Sequence, residues 1–331
     1  VLFSFLLIVG MLALCLVPGV ARADTVRRVP NVREAVGGTV YITNPPTGEN
    51  AQYWYNNEWN NFRDIKDGVD HPLGDEWQIR WYDNLWGGGF MVWRYSTMTK
   101  TPRYYNNPPL RFRFNDVGYT ATGEHIDMIL KFDSVGAWKG TGTWFSPLQV
   151  TKEYSVLMSA VPTDGSKSVT GAEHVGVISQ FTMSVVKHDT ETLIDPSNEL
   201  DVVYWDIDAD APANGGRSYT SEWRESVKKL SGYQSESIIG ITSKLEIKDN
   251  NRWFLSTHAD NSVVPSNEST VIMKAGPQYR TEWRGYSCST AVGFDSIVRI
   301  YPKWPDPVKD PPTQVKKRGE VAEFNVKQTF P

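Results

Sequence analysis

The chain has 331 residues, 40% of them hydrophobic and 22% charged, with a formal net charge of −4 and two cysteines. That supplies ample core and excludes a disordered, highly charged polypeptide. The one basic cluster, Lys316-Lys317-Arg318, is too short to give a slightly acidic chain an electrostatic footprint for nucleic acid, which is excluded as a partner.

Leu2 to Val17 is an almost unbroken apolar run, closed by Pro18-Gly19 and ending in Ala21-Arg22-Ala23. Residues 1–23 therefore read as an export signal cut before Asp24, with no transmembrane segment left after cleavage. An uncleaved anchor is the alternative, and the helix-breaking Pro-Gly pair stands against it. The chain starts at Val1 inside the apolar run, so a longer N-terminus is expected. Cys15 leaves with the signal, Cys288 stays as a single thiol, and an internal disulfide is excluded. Scarce cysteine in an exported chain fits Gram-positive bacteria and a place outside the cell, at the cell wall or surface. The lone sequon Asn267-Glu268-Ser269 is near chance for this length.

Aromatic residues are abundant, with 13 Trp, 15 Tyr and 13 Phe. Trp54, Trp59, Trp77, Trp81 and Trp86 crowd one stretch with several tyrosines. Exposed, they would stack on sugar rings and form a glycan-binding surface. Buried, they would fill the core of a large β-domain. Trp77, Ile79 and Trp81 share one face of a strand, which favours burial.

From residue 111 the pattern alternates with period two. Arg111-Phe112-Arg113-Phe114, then Ile126, Met128, Leu130 and Phe132, Phe181 to Val185, and Leu245 with Ile247 read as half-buried strands. Turn clusters such as Asn106-Asn107-Pro108-Pro109 and Asn214-Gly215-Gly216 separate them. One segment reads as helix: Ser221 as N-cap, Trp223, Val227 and Leu230 on one face, Glu225 and Lys229 as an i,i+4 pair, and Gly232 as the stop. The expected fold is all-β, a sandwich of jelly-roll or Ig-like type over residues 24–304, divisible into 24–110 and 111–304, with one short helix. Residues 305–313 are a proline-rich linker, and 314–331 open a second Ig-like module with one strand.

Asp206, Asp208 and Asp210 alternate along a presumed extended run, so their carboxylates would share a side and could hold Ca2+. The run is no EF-hand, because Ala211 and Arg217 replace the required Gly and Glu. Solvated carboxylates bonding backbone amides of the Asn214-Gly215-Gly216 turn are the alternative. The five histidines, His71, His125, His174, His188 and His258, are scattered without ligand spacing. No nucleophile elbow, His-Glu-x-x-His, Cys-x-x-Cys or phosphate loop occurs. Paired carboxylates of a glycosidase could be drawn from many candidates and prove nothing. Catalysis is not expected, with a secreted glycoside hydrolase as the minor alternative.

Phe114-Asn115-Asp116-Val117-Gly118-Tyr119, followed by Gly123-Glu124-His125-Ile126-Asp127-Met128, resembles a pattern in the N-terminal regions of Gram-positive and actinobacterial cell-wall adhesins. There a strand ending in "nVGt" precedes a "G-x-x-x-D-hydrophobic" strand. Asp201-Val202-Val203-Tyr204-Trp205-Asp206-Ile207-Asp208 resembles a second shared element. Gly319-Glu320-Val321 with Phe324 to Pro331 is similar to the opening strand of Ig-like stalk modules. The resemblance implies non-catalytic attachment to an extracellular glycan or matrix or surface protein, by a monomer within a longer chain. It also implies stalk modules that carry intramolecular isopeptide bonds, with Lys316 or Lys317 as donor. A glycan-binding module of a secreted carbohydrate-active protein is the alternative.

Overall fold

The computed structural model describes residues 23–35, 37–96, 102–138, 143–161, 176–208, 224–258, 266–286, 289–294, 308–310 and 325–327. Its strands are β1 (Thr25–Val29), β2 (Val40–Ile42), β3 (Ala51–Tyr55), β4 (Glu58–Asn61), β5 (His71–Gly74), β6 (Trp77–Tyr82), β7 (Gly89–Ser96), β8 (Arg103–Asn106), β9 (Arg111–Thr120) and β10 (His125–Trp138). They continue as β11 (Thr143–Thr151), β12 (Ser155–Val161), β13 (Gly176–Lys187), β14 (Leu200–Trp205), β15 (Ser226–Gly240), β16 (Glu246–Lys248), β17 (Trp253–Leu255), β18 (Val271–Tyr286) and β19 (Ser289–Phe294). A separate small pair joins β20 (Val308–Asp310) to β21 (Asn325–Lys327). Short 3-10 turns lie at Val32–Glu34 and Phe62–Ile65.

The pairings resolve into a β-sandwich. One sheet runs β4-β3-β9-β10-β13-β18-β15-β17-β16. The other runs β5-β6-β7-β11-β12-β19-β14-β18-β15-β1. β18 belongs to both: Val271 to Ala275 pair with β14, and Gln278 to Tyr286 pair with β13. β15 turns the same corner, with register breaks between Lys229 and Ser237. Gly232 sits at the bend with φ +76, where a Cβ would run into the Gln278 carbonyl. Only glycine takes both the left-handed backbone and the close approach without strain.

The helix expected from Ser221 to Gly232 is not formed in its described part: Ser226 onwards is β15. Ser221 and Trp223 lie outside the described residues. Val227 joins the core but Leu230 is only half-buried, so the apparent 3.6-residue period does not mark one buried face. Lys229, read as the i,i+4 partner of Glu225 on a helix, is 1% exposed. Its Nζ donates to the carbonyls of Gln234, Ser235 and Glu236 at 3.0, 3.4 and 3.4 Å. Burial pushes its pKa down to about 8.

Alternation sorts the side chains as the sequence suggests. Phe112, Phe114, Ile126, Met128, Leu130 and Phe132 face Trp77, Ile79, Trp81, Phe90 and Phe145 in one continuous core. Core residues on both sides of position 110, from Tyr53 to Val292, belong to it. A second cluster, Leu157, Val203, Trp205, Ile238 and Ile272, lies on the alternate face and is covered by Val32. That double coverage explains why all six residues of β14 are buried.

Candidate functional site

The strand pair β9–β10 carries the most elaborate polar arrangement. Phe112 and Phe114 point inward, so Arg111 and Arg113 point outward; Ile126 and Met128 likewise leave Asp127 on the outer face. The register jumps from Gly118↔Ile126 to Phe114↔Met128, which leaves Asn115, Asp116 and Val117 as a bulge opposite Asp127. Asp116 adopts φ +57 within it. Gly118 follows because a Cβ there would run into the Tyr41 carbonyl of β2.

Asp127 is fully buried and accepts five donors. Arg113 Nε and Nη2 reach Oδ2 at 3.0 and 2.6 Å, and the Asp189 N–H reaches it at 3.0 Å; the Asp116 N–H and His188 Nδ1 reach Oδ1 at 2.7 and 2.8 Å. Desolvation pushes the Asp127 pKa up, but the bonds from His188, Asp116, Arg113 and Asp189 outweigh it and hold the carboxyl below its usual range. The bond to Asp127 raises the His188 pKa against the opposing effect of burial. Asp127, His188 and Asp189 bring three potential ligand atoms within 4.8 Å of one another. They do not fit a metal centre, because both Asp127 oxygens are engaged and a guanidinium occupies one side.

A stack lies over this network. Tyr119 and His125 lie 4.8 Å apart at 10°, and His125 and His188 4.2 Å apart at 33°. His125 Nε2 contacts the Asp116 carboxylate. The two histidines, 63 positions apart by number and without ligand spacing in the sequence, meet because β10 and β13 are antiparallel neighbours with Ile126 opposite Lys187. Nothing short of the strand pairing reveals that.

Beside the bulge opens a cavity of about 480 Å³, lined by Asn44, Glu49, Asn50, Ala51, Asn61, Arg63, Asp64, Asn115 and Asp116. Some of these groups are spent internally. Asn50 Oδ1 accepts the Thr47 N–H at 2.8 Å, and Glu49 pairs with Lys66 at 2.6 Å. Asn61 Oδ1 accepts from Gln52 at 3.0 Å, which leaves its N–H groups unspent. The side chains of Arg63, Asp64 and Asn115 make no hydrogen bond or ion pair among the described residues. The cavity therefore offers a guanidinium, a carboxylate and amides to a polar ligand.

The five tryptophans divide. Trp77 and Trp81 are 1% and 4% exposed and sit in the core, so they cannot stack on a ligand, a correction to their place among the candidate binding residues. Trp77 packs edge-on against Phe145, and Trp81 Nε1 donates to Asp83 at 2.9 Å. Trp54 and Trp59 pair across the β3–β4 hairpin at 5.1 Å, half-buried under Arg111. They share a face with Gln52 and Asn61, next to the cavity. Trp86 is exposed in the turn between β6 and β7, edge-on to Tyr154 at 5.5 Å.

The presumed alternation of Asp206 and Asp208 is broken. Asp206 has φ +64, so the run is not extended there, and Asp208 is buried with its N–H donating to Glu225 at 3.0 Å. Asp210, Lys316, Lys317, Cys288 and the Asn214-Gly215-Gly216 turn lie outside the described residues. Among the described residues no helix is long and apolar enough to cross a membrane.

No protein-family model and no curated protein matches the chain. Among solved structures it is similar to the crystal structure of the N-terminal domain of the Streptococcus gordonii adhesin Sgo0707. The TM-score is 0.55 at 13% identity, covering 82% of this chain and 64% of that one, so the chain spans less than two thirds of that neighbour. The likeness shows the fold, an adhesin-like β-sandwich.

Proposed function

We propose that the chain is the binding region of a surface-displayed adhesin, which captures its ligand without catalysis through the cavity beside the β9 bulge. The observation that carries this reading is the set of unspent polar groups, Arg63, Asp64 and Asn115, around a cavity whose rim residue Asp116 is locked to a buried carboxylate. A preorganised polar concavity loses little entropy on binding. The adhesin-like sandwich supports the same reading. Residues 1–23 direct export in this account. The segment after residue 313 begins an Ig-like stalk of Gram-positive or actinobacterial type, with Lys316 or Lys317 as isopeptide donor.

The ligand class that the lining favours is a hydroxyl-rich glycan. Amides and a carboxylate bond hydroxyls, and the half-buried Trp59 beside Asn61 offers a ring to a sugar face. A matrix or surface protein is the second class. Binding of the full chain from Asp24 to immobilised oligosaccharides and matrix proteins, compared with Arg63→Ala and Asn115→Ala, tests the reading. Loss in both variants supports it. Undiminished binding by folded variants contradicts it.

A further inference from the structure

Asp116 joins the two parts of the site. It lines the cavity, its N–H is held by Asp127, and its carboxylate meets His125, which stacks on His188. His188 itself stands between two carboxylates. Its Nδ1 is 2.8 Å from Asp127 and its Nε2 is 3.3 Å from Asp189.

An imidazolium has two N–H groups, whereas a neutral imidazole has one N–H and one lone pair. Only protonated His188 presents an N–H to each carboxylate, as a hydrogen bond to Asp127 and as an ion-pair contact with Asp189. When the proton leaves, one nitrogen must present a lone pair to an anion. Asp127 is buried and anchored by Arg113 and two backbone N–H groups, so Nδ1–H is retained there and the exposed Asp189 carboxylate is released. The other charged groups nearby do not substitute for it. Arg113 is committed to Asp127 and the Thr190 carbonyl, Lys187 pairs with Glu124 at 2.7 Å, and Arg111 pairs with Glu191 at 2.8 Å. Tyr119 covers the outer face of His125.

We propose that this arrangement is a proton-controlled latch on the cavity: protonated His188 holds the turn after β13 and, through His125, the Asp116 rim. Ligand capture is then strongest in mildly acid solution and weakens as pH rises. The latch rests on reading the cavity as the ligand site. The bond to Asp127 raises His188 above the usual histidine value, so the change falls above about pH 6.5.

The test measures two things at about pH 6 and about pH 8.5, either side of that range. One is amide-exchange protection of Asp116 and Asp189, corrected for intrinsic rates. The other is binding to a printed panel of neutral and sialylated oligosaccharides. Both are measured on the full chain from Asp24 and on His188→Gln and Asp189→Asn. Wild type is expected to lose about tenfold in protection and in panel signal between the two. His188→Gln is expected at the high-pH level throughout. Asp189→Asn is expected at the ordered level throughout, because an amide N–H can donate to the lone pair of neutral His188. Equal Asp116 protection at both pH values in wild type, or a pH response that survives in His188→Gln, overturns the latch. Responsive exchange without panel binding at either pH upholds the latch and removes the cavity reading; binding that ignores pH with uniform exchange does the reverse.

Discussion

Arg113 and Asp127 meet across β9 and β10 with both side chains almost fully buried, the guanidinium contributing two bonds to one carboxylate oxygen. Neither charge has water to fall back on, so the two are interdependent in a way that surface pairs are not.

Removing one partner should therefore be costly. Arg113→Ala leaves a buried carboxylate with three remaining donors and should destabilise the fold by about 3–5 kcal/mol. Exposed Arg27→Ala, which breaks the pair with Glu236, should cost about 1 kcal/mol or less. Urea unfolding of both variants checks the contrast, and equal small losses would show that the Asp127 network carries little stability.

The pH dependence of that network has two limbs. The His188 pKa is raised on folding, so its contribution is complete below about pH 6.5 and is lost as pH rises through the folded value. The Asp127 pKa is lowered on folding, so its contribution is complete above about pH 4 and is lost as pH falls through the folded value. The network should stabilise most between these limits. Subtracting the stability–pH curve of an Asp127→Asn, His188→Gln double variant from that of wild type should give a difference that peaks there.

Two tryptophans separate packing from surface roles. Trp77→Ala empties a core site at 1% exposure and should cost about 3–5 kcal/mol. Trp59→Ala, half-buried on the β4 edge, should cost well under half of that. Thermal unfolding distinguishes them, and comparable losses would mean that the β3–β4 hairpin is part of the core.

The corner at Gly232 offers a backbone test. Gly232→Ala forces a Cβ against the Gln278 carbonyl at positive φ and should destabilise by about 1–3 kcal/mol, whereas a glycine just past a helix would tolerate alanine better. A neutral or stabilising outcome in urea would contradict the bend.

These elements differ in how far the sequence reveals them. The alternation of Phe112, Phe114, Ile126 and Met128 is legible because one face of their sheet is buried and the other is not. β15 is not legible. Val227 joins the core while Leu230 is only half-buried, so two apolar residues three apart mimic a helix without sharing a buried face. The site is half-legible. The motif that carries the resemblance contains Asp116, Gly118 and Asp127 without revealing the bulge, while His188, Asp189, Arg63 and Asp64 join it only through strand pairings and a 3-10 turn that no linear spacing encodes.

The central claim, that the cavity beside the β9 bulge takes the ligand, is tested most directly by binding of the full chain from Asp24 to immobilised oligosaccharides and matrix proteins. The comparison is with an Arg63→Ala, Asp64→Ala, Asn115→Ala triple variant shown to be folded by its unfolding transition. Affinity is expected to fall about tenfold or more, equivalent to about 1.4 kcal/mol. Wild-type affinity in the triple variant would contradict that claim.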